Sequence, residues 1–264
     1  MNAPTPLLDF FRRGEVARDV KLLAAQGALA PRAGEQLSIL ALLVDDPDPE
    51  IRQAADTTLS RIPREVLASF LARQDVPSPL REFFAGRGVV PSDAGAAVAV
   101  DAEAPLADTE PDVEAQAGAA GGDEPGDRST TVVRLASMTF PERLKAAVKG
   151  TREMRAILVR DTNKMIAAAV LSSPKLTEQE VESFARMANV SEDVLRTIGS
   201  NRGWMKNYGV VLGLARNPKT PLGMSLNLLA RLNDRDLSGL SVDRNVPEAL
   251  RVAARKKVVS ATQR

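Results

Sequence analysis

Asp75-Val76-Pro77 to Arg81, Asn189-Val190-Ser191 to Arg196 and Asn245-Val246-Pro247 to Arg251 follow one pattern: Asp or Asn, Val, then Pro or Ser, a short polar or small step, and Leu-Arg. The closing pairs are Leu80-Arg81, Leu195-Arg196 and Leu250-Arg251, and the middle copy is one residue longer. Pro is pre-set for the first turn of a helix and Ser can cap its free N–H groups, so each copy reads as a helix start. One helix start recurring far apart in a chain predicts stacked helical units that share a core.

Helical signals fill the rest of the chain outside one acidic stretch. In Asp46-Pro47-Asp48-Pro49-Glu50, Asp48 is placed as an N-cap, Pro49 as the first helical residue and Glu50 near the positive end of the helix dipole. Apolar residues then recur at helical spacing at Ile51, Ala55, Leu59 and Ile62, with Leu37, Leu40, Leu43 and Val44 before them and Val66, Leu67, Phe70 and Leu71 after. Thr139-Phe140-Pro141-Glu142 and Thr177-Glu178-Gln179-Glu180 both have the form of a capping box. Val181, Phe184, Ala185 and Ala188 form an apolar face, and Leu222, Leu226 and Leu229 another behind Thr220-Pro221. No stretch alternates as a strand would. Leu158 to Lys164, Ile198 to Trp204 and Leu240 to Val246 each set an aliphatic residue before a polar turn, at intervals of 40 and 42 residues, and Pro174 and Pro218 mark equivalent helix ends. The expected fold is all-α, with two short α-solenoid modules.

Residues 92–130 divide those modules. The formal net charge of +1 conceals a strong asymmetry: residues 1–91 carry 11 basic and 12 acidic side chains, 92–130 carry 1 and 10, and 131–264 carry 23 and 12. The middle segment is Ala, Gly, Asp, Glu and Pro with scattered Val and Leu, too little apolar area to offset its ordering entropy. It is expected to be a disordered acidic linker between a helical module at 1–91 and a basic helical-repeat module at 131–264. Gly118 to Asp123 is glycine-rich, but no Gly-Lys-Ser/Thr follows, so it is no phosphate-binding loop.

Chemistry is constrained as tightly. The chain has neither Cys nor His, which removes disulfides, thiolate metal sites, a cysteine nucleophile, and the commonest general base and metal ligand. A carboxylate-only metal site or a Ser/Lys pair stays open, but no motif supports either, and a non-enzymatic protein without cofactor is expected. Met1 to Pro6 lacks the features of a secretory leader, and the richest apolar run, Leu37 to Val44, is far shorter than a membrane span. No membrane insertion and a cytoplasmic location are the expectations.

Leu43-Val44-Asp45-Asp46-Pro47-Asp48-Pro49-Glu50-Ile51-Arg52-Gln53-Ala54-Ala55 resembles the Asp-Pro-x-x-Arg helix start of HEAT repeats. Leu214-Ala215-Arg216-Asn217-Pro218-Lys219-Thr220-Pro221 and the Asn245 copy are similar to the bacterial leucine-rich repeat variant. Both resemblances imply an α-solenoid whose role is to present binding surfaces. With no cysteine in the chain, no metal site carries over.

Three clusters have both a functional and a plainer reading. The only Trp and the only Tyr lie four residues apart, interleaved with Arg202 and Lys206. Trp204 and Tyr208 are either a stacking patch beside phosphate-binding cations or two core residues on one helical face. Arg196, Arg202, Lys206, Arg216, Lys219 and Arg244 gather near unit junctions, and Arg251, Arg255, Lys256 and Lys257 follow in the last helix. These cations either bind phosphates or an acidic protein, or complement helix dipoles and cover ordinary surface. Asp45, Asp46, Asp48 and Glu50 lack the ladder of an EF-hand and read as capping residues. Ser129 to Leu135, a small apolar island, is a docking peptide or a strand-like edge.

The function expected is a scaffold or adaptor that binds a protein through helical-repeat surfaces, the basic module taking an acidic partner. The alternative is a nucleic-acid-binding module using the same surface with Trp204 and Tyr208. Opposite charge on one chain further predicts that the acidic segment folds back on the basic module.

Overall fold

A computed structural model describes residues 6–29, 31–92, 104–108 and 128–262. Among them are sixteen α-helices, two 3-10 turns and no strand, so the described residues are all-helical as expected. No helix among the described residues is long and apolar enough to cross a membrane. Two compact units, residues 1–175 and 176–264, divide the chain. That division falls beyond the boundaries at 91 and 131 expected from composition, and helices from both sides of the acidic stretch share the first unit. Residues 93–103 and 109–127, most of the expected linker, lie outside the described residues.

The first unit holds α1 (Pro6–Arg13), α2 (Arg18–Ala25), α3 (Ala33–Leu43), α4 (Pro49–Arg61), α5 (Arg64–Ala72), α6 (Ser78–Gly86), α7 (Arg128–Ser137), α8 (Phe140–Lys149), α9 (Arg152–Leu158) and α10 (Lys164–Leu171). Two of them are apolar on nearly every side and form its core. In α3, Leu37, Ile39, Leu40 and Leu43 are buried, and in α10, Met165, Ile166, Val170 and Leu171 are. Each such side chain contributes about 2 kcal/mol of transfer free energy. Helix α1 packs against both α3 and α10, while α2, α4 and α6 close round α3 and α8 and α9 round α10.

Local chemistry sets the ends. The Asp48 carboxylate accepts from the Glu50 N–H at 2.9 Å with Pro49 in the first turn of α4. It also pairs with Arg18 at 2.7 Å, and that bond followed by the Glu50 N–H holds its pKa below the ordinary carboxylate value. Asp46 pairs with Lys21 at 2.8 Å. Asp48 therefore caps α4 as expected, and Asp46 supports the turn before it by accepting the Asp48 N–H at 3.0 Å. Helices α1 and α2 end on Gly14 and Gly27, whose positive φ angles of 71° and 78° favour a residue without a side chain. In both, the glycine N–H and the next N–H turn back to helix carbonyls, as in a Schellman motif. The Ser129–Leu135 island corrects one expectation: it is helical, within α7, and not strand-like. Its β-branched run favours a strand locally, but burial of Leu135 and the 2.9 Å bond from Thr131 to Glu153 of α9 hold it as a helix.

Glu35 of α3 is 4% exposed and its Oε1 accepts the N–H groups of Leu7 and Leu8 at 2.8 and 2.9 Å, satisfying the first turn of α1. Burial raises its pKa above the ordinary 4.5, more than the hydrogen bonds and the charge of Arg32 lower it. The proton is thus held more tightly in the folded chain, and Glu35 removes stability as pH rises from 4.5 through its raised value. Asp46, Asp48, Asp75 and Glu142, whose values are lowered, give the opposite slope. The difference between wild type and Glu35→Gln isolates the group: the variant should gain relative stability with rising pH in urea titrations. A difference that stays flat or shrinks would show that the carboxylate is not titrating in this way.

Candidate protein-binding surface

The second unit contains α11 (Glu178–Arg186), α12 (Glu192–Ser200), α13 (Tyr208–Arg216), α14 (Leu222–Leu228), α15 (Asp234–Val242) and α16 (Glu248–Thr262), with 3-10 turns at Trp204–Lys206 and Leu229–Arg231. Helix α11 opens on the expected capping box, in which Thr177 Oγ1 accepts the Glu180 N–H at 3.3 Å and the Glu180 carboxylate accepts the Thr177 N–H at 3.0 Å. Helix α13 packs on α11 and α14, and α16 on α15 and α14.

Three connectors in this unit share a backbone pattern. Met187, Asn217 and Asp243 leave their helices in an extended conformation, each N–H returning to the carbonyl three residues back, on Phe184, Leu214 and Leu240. Three residues later comes a buried Val190, Thr220 or Val246, and then Ser191, Pro221 or Pro247 ahead of the next helix. Val190 and Leu195 are both buried on either side of the Ser191 cap, the arrangement of a hydrophobic staple. The Asn189 and Asn245 copies therefore have a counterpart between them at Asn217–Pro221, where Thr replaces Val. The connectors begin 30 and 26 residues apart, shorter than the intervals of 40 and 42 residues between the Leu158, Ile198 and Leu240 stretches. Ile198 and Leu240 are alike in that each carbonyl accepts the N–H of an extended residue three positions on, Asn201 or Asp243, but a 3-10 turn follows Asn201.

The aromatic pair does not lie on one helical face. Trp204 opens the 3-10 turn and is 8% exposed, while Tyr208 is the first residue of α13 and is 40% exposed. The Tyr208 hydroxyl donates to Asp236 Oδ2 at 2.6 Å and accepts the Asn233 N–H at 3.2 Å. Partial desolvation, then the bond to Asp236, raises its pKa above the ordinary phenol value. Arg216, at the other end of α13, reaches Asp236 Oδ1 at 3.1 Å. Asp236 thus joins both ends of α13 to the first turn of α15.

The cations fall into two groups. Arg196 pairs with Glu192 one turn away at 2.5 Å, Arg216 with Asp236, and Arg255 donates to the Ser241 carbonyl at 3.4 Å. Lys206, Lys219, Arg244, Lys256 and Lys257 are exposed and Arg251 is half-buried, without a carboxylate in ion-pair reach among the described residues. Arg202 is exposed and has an interaction of its own. Residues 176–264 contain 14 basic and 9 acidic side chains, so the unit keeps a positive excess after its internal pairs are formed.

Sequence reasoning missed Asp236, Asn217 and Arg231, which act on the backbone or on cations of other helices. The Asn217 carboxamide donates to the Ala185 and Met187 carbonyls at 2.8 and 3.0 Å, and Arg231 donates to the Met205 carbonyl. The sequence signal available was the Asn217-Pro218 pair at a helix end. Among the described residues no group of three or more acidic side chains is placed to hold a metal ion. Compared with known protein families, curated proteins and solved structures, the chain matches none.

Proposed function

We propose that the chain is a non-enzymatic scaffold or adaptor, with residues 176–264 acting as a helical-repeat binding module for an acidic protein. The observation that carries this reading is the set of unneutralised cations, Lys206, Lys219, Arg244 and Arg251, on a unit whose connectors repeat. Cations already satisfied within the fold gain little from a partner, whereas these keep their charge available. Repeating helix–connector–helix units, stacked as a short solenoid, place such side chains along one continuous surface.

A nucleic-acid interface fits less well. Base stacking draws on successive exposed aromatic faces, and Trp204 is buried, which leaves Tyr208, fixed at its hydroxyl by Asp236 and Asn233, as the one exposed ring of the pair. The test compares the full chain with a variant carrying Lys206→Glu, Lys219→Glu, Arg244→Glu and Arg251→Glu. An acidic protein should co-purify with the wild type from its native cell and be lost from the charge-reversed variant, with affinity reduced at least about tenfold. Recovery of the same partners with both proteins would sink the reading. Retention of DNA or RNA by the wild type in a low-salt mobility assay, lost in the variant, would favour nucleic acid instead.

A further inference from the structure

Residues Ala104 to Asp108, within the acidic stretch, have no helix or strand of their own but are held in the first unit by two side chains from distant helices. Gln36 of α3 is 2% exposed, and its Oε1 accepts the N–H groups of Leu106 and Ala107 at 2.8 and 3.0 Å while its Nε2 donates to the Ala107 carbonyl. One carboxamide therefore reads three main-chain groups of an adjacent residue pair, which any sequence other than proline can supply. Lys149, the last residue of α8, is 3% exposed and its Nζ lies 2.5 Å from Asp108 Oδ1. The site thus pairs a reader of backbone with a reader of a carboxylate. Ala104 to Ala107 are half-buried against it.

Both readers are unfavourable to leave without partners. A buried carboxamide and a buried ammonium each need hydrogen-bonding groups that an apolar surface cannot give. The Gln36 carboxamide takes its partners from a segment 70 residues away in sequence, and Lys149 has Asp108 of that segment, 41 residues away, among its partners. The helical hydrogen bonding of α3 and α8 does not require that segment. This is the chemistry of a receptor and a short linear ligand.

We infer that the Gln36–Lys149 site is a peptide-recognition site for an extended segment ending in a carboxylate side chain, which residues 104–108 fill in cis and an acidic peptide of another protein displaces. The acidic segment then acts as a tethered competitor, with the advantage of high effective concentration. The site belongs to the first unit and stands whether or not the second unit binds an acidic protein.

The probe is a fluorescein-labelled peptide, Ala-Glu-Ala-Pro-Leu-Ala-Asp-Thr-Glu, the sequence of residues 102–110, titrated with full-length protein and read by anisotropy. Replacing residues 104–108 by Gly-Ser-Gly-Ser-Gly empties the site, and this variant should bind the peptide at least about tenfold more tightly than wild type. Asn in place of the peptide's Asp, or Lys149→Met in the emptied chain, should weaken binding about tenfold or more. Asp108→Asn in the otherwise intact chain is a milder way to weaken the cis ligand and should also raise affinity for the probe. The proposal is overturned if the emptied chain, helical by circular dichroism, fails to bind at about 1 mM, or if binding ignores both the peptide carboxylate and Lys149. An emptied chain that does not fold, together with an Asp108→Asn chain that binds no better than wild type, marks the segment as core and overturns it equally.

Discussion

Replacing Asn217 by Ala should destabilise the second unit by about 3 kcal/mol, more than the loss of any cation on its surface. The side chain is 3% exposed and makes three bonds: two donated to the Ala185 and Met187 carbonyls at the end of α11, and one accepted from the Lys219 N–H at 3.0 Å. Alanine removes all three and leaves buried backbone groups without partners, each costing about 1–3 kcal/mol, relieved in part by water entering the connector. Asn217→Asp separates geometry from hydrogen bonding. It preserves shape and the acceptor for Lys219, but at neutral pH it turns a carboxylate toward two carbonyl oxygens, so its loss should at least equal that of alanine. Towards about pH 3 the acid form regains a donor, and the aspartate variant should recover part of the difference. Urea unfolding of the three proteins decides the matter. An alanine loss below about 1 kcal/mol would mean that the Asn217 bonds contribute little net stability.

Residues such as Asn217 explain which parts of the molecule were legible beforehand. Helix starts depend on a few neighbouring residues, so Asp48-Pro49, Thr177 to Glu180 and the Val-Pro or Val-Ser copies could be read directly. Helix ends that are satisfied from elsewhere could not, because the carbonyls at 185 and 187 meet a side chain some 30 residues later. Burial divided in the same way. The apolar spacing of Ile51, Ala55, Leu59 and Ile62 leads to a fully buried face along the thirteen residues of α4. Leu222, Leu226 and Leu229 have similar spacing, yet only Leu229 is buried, since α14 is seven residues long and passes into a 3-10 turn that rotates the face. Periodicity finds an apolar stripe, but only neighbours decide how much of it is covered.

Charge was legible as a total and illegible as a site. Fourteen cations in residues 176–264 were countable, but their division between internal pairs and open surface depends on where Glu192 and Asp236 stand. Asp236 lies 20 residues from Arg216 and 28 from Tyr208, so no local pattern announces that one carboxylate engages both. Composition likewise placed the acidic stretch apart from the folded modules, whereas its Leu106, Ala107 and Asp108 are bound by Gln36 and Lys149. Low apolar content limits what a segment can bury by itself, but it does not prevent polar groups elsewhere from holding three of its residues.

Gly213→Val should cost about 3 kcal/mol, because α13 and α11 meet there without room for a side chain. A Cβ at Gly213 would stand 3.1 Å from both the Ala185 Cβ and the Arg186 Cγ, and 3.4 Å from the Ala185 carbonyl carbon. The Arg186 side chain can bend away, but the Ala185 atoms are fixed to the backbone of α11, so the branched valine must push the helices apart. Gly209 offers the internal control. A Cβ there would meet the Glu182 carboxyl group at 2.4–2.5 Å, but that group is the free end of a flexible side chain. It can swing outward at the loss of its exposed pairing with Arg186, an interaction of small net value. Gly209→Ala should therefore stay within about 0.5 kcal/mol of wild type, helped by the better helix propensity of alanine. Gly209, Gly213 and Asn217 recur every four residues and line the side of α13 that faces α11, two by absence of a side chain and the third by capping. The separation of the helices at Gly213 is also what brings Asn217 within reach of the Ala185 carbonyl. Valine at 213 and alanine at 217 should accordingly be less than additive, the double variant losing clearly less than the sum in a urea double-mutant cycle. Full additivity would show that the two residues stabilise the contact independently, and the close approach would then have no part in forming the cap.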